Sequence, residues 1–166
     1  MREDQEEESL VTGKTGSGIV RIGFRVVVVS DPSGTTCDAL TVTLSKVIRM
    51  VELDVLGSLD AASAAFQRTS ARDAATIVLS SLDLLPAPRA GALAAQEADR
   101  HGLATILVTR SRRWIPPDLA SCHDLAWLAP DAGGLAVADA IDFALRRAGS
   151  MKQAQNDGLA WRRTGA

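Results

Sequence analysis

Apolar residues in this chain fall into short blocks separated by polar or glycine-containing turns, and the blocks alternate between two periods. The most uniform is Arg25-Val26-Val27-Val28-Val29, four consecutive valines closed by Ser30-Asp31-Pro32-Ser33-Gly34. A run that is apolar at every position leaves no face for solvent. It therefore predicts a strand buried on both sides, the kind that lies inside a parallel sheet. Leu40, Leu44, Val47, Ile48 and Val51 then recur at helical spacing and predict an amphipathic helix over 36–51. Thr35 or Thr36 would cap it, with Asp38 three residues after Thr35 in the manner of a capping box. A strand over 53–56, an alanine-rich helix over 58–66 and an apolar strand over 76–80 follow.

The second half repeats the alternation. A helix is predicted over 88–100 with Gly102 as its C-terminal cap, then a strand over 104–109. After it come the basic loop Arg110-Ser111-Arg112-Arg113-Trp114-Ile115-Pro116-Pro117 and a short helical piece near 118–122. A last strand over 125–129 ends at Pro130, and a final helix over 134–148 should turn Leu135, Ala138, Ile141 and Leu145 inward. Five strands alternating with five helices predict an α/β protein, a (βα)5 doubly wound parallel sheet of flavodoxin-like order 2-1-3-4-5. The domain should occupy 23–149, between a disordered acidic and glycine-rich leader at 1–22 and a flexible tail at 150–166.

Composition narrows the function classes. A chain of 166 residues suits one domain with a full core, and 46% hydrophobic with 23% charged residues is ordinary for a globular protein. No apolar run is long enough for a membrane span and the acidic start has no signal-peptide pattern, so a cytoplasmic location is expected. Cys37 and Cys122 have neither disulfide-framework nor metal-ligand spacing and read as core thiols. His101 and His123 lack further ligands. The formal net charge of −2 conceals an acidic first decade, which leaves the remainder at about +2. That leader is expected to be solvated, with folding back onto the basic loop as the alternative.

Two motifs invite a chemical reading. Gly13 and Gly18 have the spacing of a phosphate-binding loop, but Ile19 and Val20 stand where its lysine and hydroxyl should be. The second is the turn after the valine strand, because ligands of open α/β sheets sit at the carboxyl ends of strands. Asp31-Pro32-Ser33-Gly34 has the preferred residues of a type I turn, so Asp31 can be explained as a brace for its own loop.

Over 25–148 the order of elements, their lengths and these landmarks resemble the receiver domain of bacterial two-component response regulators. The resemblance implies an acidic pair after the first strand, where this chain has Ser30-Asp31. It implies a phosphorylated aspartate after the third, where Ser81 stands, a switch hydroxyl at Thr109, and a lysine before proline where Ala129 precedes Pro130. An acyl-phosphate site needs a carboxylate nucleophile and Mg²⁺ on several oxygen ligands. With only Asp31 and Thr109 matching, the expectation is a degenerate receiver, with no enzymatic activity and no cofactor beyond residual Mg²⁺ binding. It would signal by contact, through a protein partner or a homodimer, at the face that the resemblance assigns to the fourth helix, fifth strand and fifth helix. Arg110, Arg112, Arg113, Trp114 and Trp127 are the candidate contact residues. Nucleic acid is not expected, since three arginines without a recognition helix make a small footprint. The alternatives are a working phosphorelay receiver with Asp83 as acceptor and a binder of nucleotides or small ligands at the Gly34 turn.

Overall fold

The computed structural model describes residues 23–31, 37–69, 75–82 and 88–164, those from 151 onward as backbone. Expectations for residues 1–22, for Thr35 and Thr36 as caps, for the Pro32-Ser33-Gly34 turn and for Asp83 lie outside the described residues. Five parallel strands form one sheet in the order β2-β1-β3-β4-β5, as the alternation predicts. They are β1 (Phe24–Val29), β2 (Met50–Leu56), β3 (Thr76–Ser81), β4 (Ala104–Val108) and β5 (Ala126–Leu128). The described residues also contain four α-helices, α1 (Asp38–Val47), α2 (Leu59–Arg68), α3 (Pro88–Arg100) and α4 (Gly134–Thr164). No helix among them is long and apolar enough to cross a membrane.

Successive side chains of a strand point to opposite faces, and here each face has its own cover. Val26 and Val28 pack with Leu40 and Leu44 of α1 and with Val137 and Ile141 of α4. Val27 and Val29 pack with Ala62 and Phe66 of α2 and with Ala94 and Ala98 of α3. That division explains why four valines in a row are all buried. β3, buried at all six positions, takes the middle of the sheet with β1 beside it. The punctuation is also as expected at two helix ends. Ser58 caps α2 by accepting the Ala61 N–H at 3.1 Å. Gly102 follows α3 at φ 73°, a left-handed conformation open to glycine, and its N–H donates to the Asp99 carbonyl at 2.9 Å.

Three elements depart from the sequence pattern. The first helix stops at Val47 rather than at residue 51, because Met50 already begins β2. Leu40, Leu44 and Ile48 are buried as the spacing requires, but Val51 belongs to an edge strand and is exposed. Cys37 occupies the N-cap, and its carbonyl accepts both the N–H and the hydroxyl of Thr41. The final helix does not end at Ala148 but continues to Thr164, over most of the expected tail. Its inward face is Val137, Ala140, Ile141, Ala144 and Ala148, whereas Leu135 points to solvent.

The crossover from β4 to β5 is the third departure. The short helical piece expected near 118–122 is the 3-10 turn Ala120–Asp124 rather than an α-helix, and a second 3-10 turn, Arg112–Trp114, precedes it. Pro116 and Pro117 separate them and lack the N–H groups that a continuous helix would use. Ile115, Leu119, Cys122 and Leu125 still face inward, against Leu107 of β4 and Ala92 and Ala95 of α3. The crossover thus buries an apolar edge without forming a helix. The docking face implied by the receiver resemblance consequently lacks its fourth helix.

Candidate functional site

The parallel ladders fix which strand ends meet. Val29 pairs with Ser80, Ser81 with Val108, and Val108 with Leu128. Ser30 and Ser81 therefore stand level at the carboxyl edge, with Thr109 and Ala129 one residue further along. Asp31 follows Ser30 at the same edge and is half-buried. The ladders continue through these residues: the Ser30 N–H donates to Leu56, that of Leu82 to Val108, and that of Thr109 to Leu128. The ladders thus place Ser30, Asp31, Ser81, Thr109 and Ala129 along one carboxyl edge of the sheet.

The side-chain bonds of Thr109 and of neighbouring Ser80 brace this edge. Thr109 is fully buried, and its hydroxyl donates to the Ser111 carbonyl at 2.8 Å while accepting the Ser111 N–H at 3.1 Å. Ser80, also fully buried, donates to the Gly91 carbonyl in α3 at 2.6 Å. α3 approaches β3 so closely that a Cβ on Gly91 would lie 2.0 Å from the Ser81 carbonyl oxygen. Asp31 is the one carboxylate at the described strand ends, and no cluster of three or more His, Cys, Asp or Glu occurs among the described residues.

A second feature lies at the opposite edge of the sheet from β2. Arg112, Leu125, Trp127, Ala140, Phe143 and Arg147 line an open groove of about 800 Å³ between the crossover, β5 and α4. β5 places alternate residues on opposite sides, so Ala126 and Leu128 are buried while Trp127 is exposed in the groove. Arg112 closes one end by donating to the His123 carbonyl at 2.5 Å, which ties the two 3-10 turns together. Arg147 closes another by a bidentate bond to Asp99 at 2.9 and 3.1 Å. This bond joins α4 on one face of the sheet to α3 on the other, and it raises the arginine's pKa further above its ordinary range.

Of the candidate contact residues, the structure brings Arg112 and Trp127 into one groove and leaves Arg110, Arg113 and Trp114 outside its lining. Trp114 is exposed on the first 3-10 turn, and Arg113 has no ion pair among the described residues. Phe143 and Arg147 are groove residues that the sequence reading missed. An aromatic residue on the flank of the final helix was the available signal for Phe143.

No family model matches the chain, and no curated protein matches it. Solved structures do. A fusion carrying the trimeric coiled coil of yeast Spc42 is similar with a TM-score of 0.57 and 14% identity, covering 86% of this chain and 93% of that one. The response regulator StyR is similar with a TM-score of 0.57 and 13% identity, covering 85% of this chain and 68% of that one. At such identities the likeness is one of fold, a parallel α/β sheet shared with a response regulator.

Proposed function

We propose that this protein is a receiver-like regulatory module that acts by protein contact and has no aspartyl phosphorylation, with the groove between β5 and α4 as its contact surface. The fold shared with a response regulator supports the first half of this reading. The observation that carries it is the groove: exposed Trp127 and Phe143 offer an apolar seat, bordered by the arginines of the crossover and α4. Aromatic and arginine side chains are the types that dominate interface energetics, because they bury much area for little lost freedom. The partner that fits is a protein surface with an apolar anchor for the seat between Trp127 and Phe143.

Loss of phosphoryl chemistry is supported by the residue types at the strand ends. Ser30, Ser81 and Ala129 cannot supply the second acid, the carboxylate nucleophile or the cation, and Asp31 alone is a poor Mg²⁺ site. Incubation of the full chain with Mg²⁺ and acetyl phosphate, followed by intact-mass measurement, tests this directly. The mass is expected to stay unchanged. A phosphoryl adduct that disappears in Asp83→Asn would overturn the reading in favour of a working receiver.

A further inference from the structure

Charge is unevenly spread along the groove between β5 and α4. The chain turns back between Leu128 and Gly134, and α4 packs against β4 and β5. Early residues of α4 therefore lie beside the carboxyl end of β5, and late ones beside its start. Both groove arginines belong to the start, and both are held: Arg147 by Asp99, Arg112 by the His123 carbonyl. Asp139 lines the groove at the carboxyl end. It stands about two helical turns before Arg147, roughly 12 Å along the axis. In an open groove that exceeds the Debye length of about 8 Å at physiological salt.

The Asp139 carboxylate is exposed, with no ion pair or hydrogen bond among the described residues. Phe143 follows it at i+4 and so shares its side of α4, and Trp127 lines the same groove from β5. Neither ring stacks on another ring among the described residues. Two open aromatic rings thus stand beside an unpaired carboxylate.

We infer that this end of the groove seats an arginine side chain of the partner protein, its guanidinium against Trp127 and Phe143 and paired to Asp139. The inference rests on the groove being the contact surface and adds the chemistry of the segment it takes. An aromatic face carries negative potential and attracts a cation. A guanidinium is planar and weakly hydrated, so it can lie on a ring while its N–H groups donate to a carboxylate. Its methylene stem suits the apolar wall at Ala136 and Ala140. An acidic side chain would meet Asp139 as a like charge. A wholly apolar segment would cover that carboxylate and leave it without a partner, which is costly. A second copy of the chain is disfavoured by sign: the formal net charge is −2, so copies repel where a basic segment is attracted.

Magnetic resonance titration of the isotope-labelled full chain at low salt tests this, with the Trp127 indole N–H as reporter. The probes are N-acetyl-arginine amide, its uncharged isostere N-acetyl-citrulline amide, and N-acetyl-leucine amide. The arginine probe should shift the reporter saturably and bind about fivefold more tightly than the citrulline probe. Asp139→Asn, at an exposed position, should reduce that preference about threefold while β3 amide shifts stay in place. Phe143→Leu keeps an apolar side chain without the ring. It should weaken the arginine probe about twofold and leave the leucine probe unchanged. Equal binding of arginine and citrulline, or a preference that Asp139→Asn leaves intact, would overturn the inference. Shifts from the leucine probe alone would overturn it while keeping the groove as an apolar seat, whereas silence from all three would remove the groove reading as well. Reporter shifts that grow with chain concentration and vanish in Asp139→Asn would assign the site to a second copy and overturn the inference too.

Discussion

Gly91 is the position where one atom decides a packing distance. It lies inside α3, where alanine would ordinarily favour the helix by ~1 kcal/mol. Here the added Cβ would meet the Ser81 carbonyl at 2.0 Å and force α3 away from the strand that Ser80 ties to it. Overpacking of this kind costs about 1–3 kcal/mol, so Gly91→Ala should lower the urea midpoint despite the gain in propensity. Cys122 gives a prediction of a different kind. It is buried on the crossover, its thiol lies 3.5 Å from the Ala92 carbonyl, and burial raises its pKa, with Asp99 adding to the effect. The folded state therefore holds the proton more tightly than the unfolded chain does. Its contribution to stability is fully present below the ordinary thiol range, near pH 8.5, and is lost as pH rises through the higher folded value. Denaturation at pH 7 and pH 10 should show this loss in the native protein and a smaller one in Cys122→Ala. In the folded protein at pH 8 the thiol should resist alkylation until denaturant is added.

The elements differ in how openly the sequence declared them. The valine block, Ser58 and Gly102 were legible because each carries a local constraint: burial on two faces, a side-chain acceptor and a left-handed backbone. The boundary between α1 and β2 was not. Val47, Ile48 and Val51 satisfy a helical period, yet Val51, Leu53 and Val55 also alternate with Glu52 and Asp54 as a strand does, and the neighbouring β1 decides between them. The rotation of α4 was hidden for a similar reason, since Leu135 is as apolar as Val137 and only packing against β4 and β5 selects one of them. The groove was legible in part. Trp127 announces itself by type, but Phe143 and Arg147 join it only once α4 lies along β5. The same arrangement predicts two unequal ion pairs. Asp99→Asn breaks a partly buried bidentate bond between opposite layers of the sheet and should cost about 1 kcal/mol, with faster amide exchange in β5. Asp118→Asn breaks the Arg89 pair on the surface and should leave the urea midpoint within error, because water screens both partners.

For the molecule as a whole, the sheet order and the two covered faces follow from alternation alone, while the proposed absence of phosphoryl chemistry rests on single positions at the strand ends. Ser30, Ser81 and Ala129 could be read as substitutions in a receiver-like pocket because strand register makes their placement predictable. If phosphoryl chemistry is absent, millimolar Mg²⁺ with acetyl phosphate should leave the melting temperature unchanged. A ligand held at 100 times its Kd would instead add about 2.7 kcal/mol and a clear upward shift. The close approach at Gly91 has a further consequence, for descent. The obstacle there is a backbone carbonyl rather than a side chain, so no compensating change of residue elsewhere can make room. Any relative that keeps α3 seated on β3 in this way should carry glycine at the matching position however far the rest has drifted.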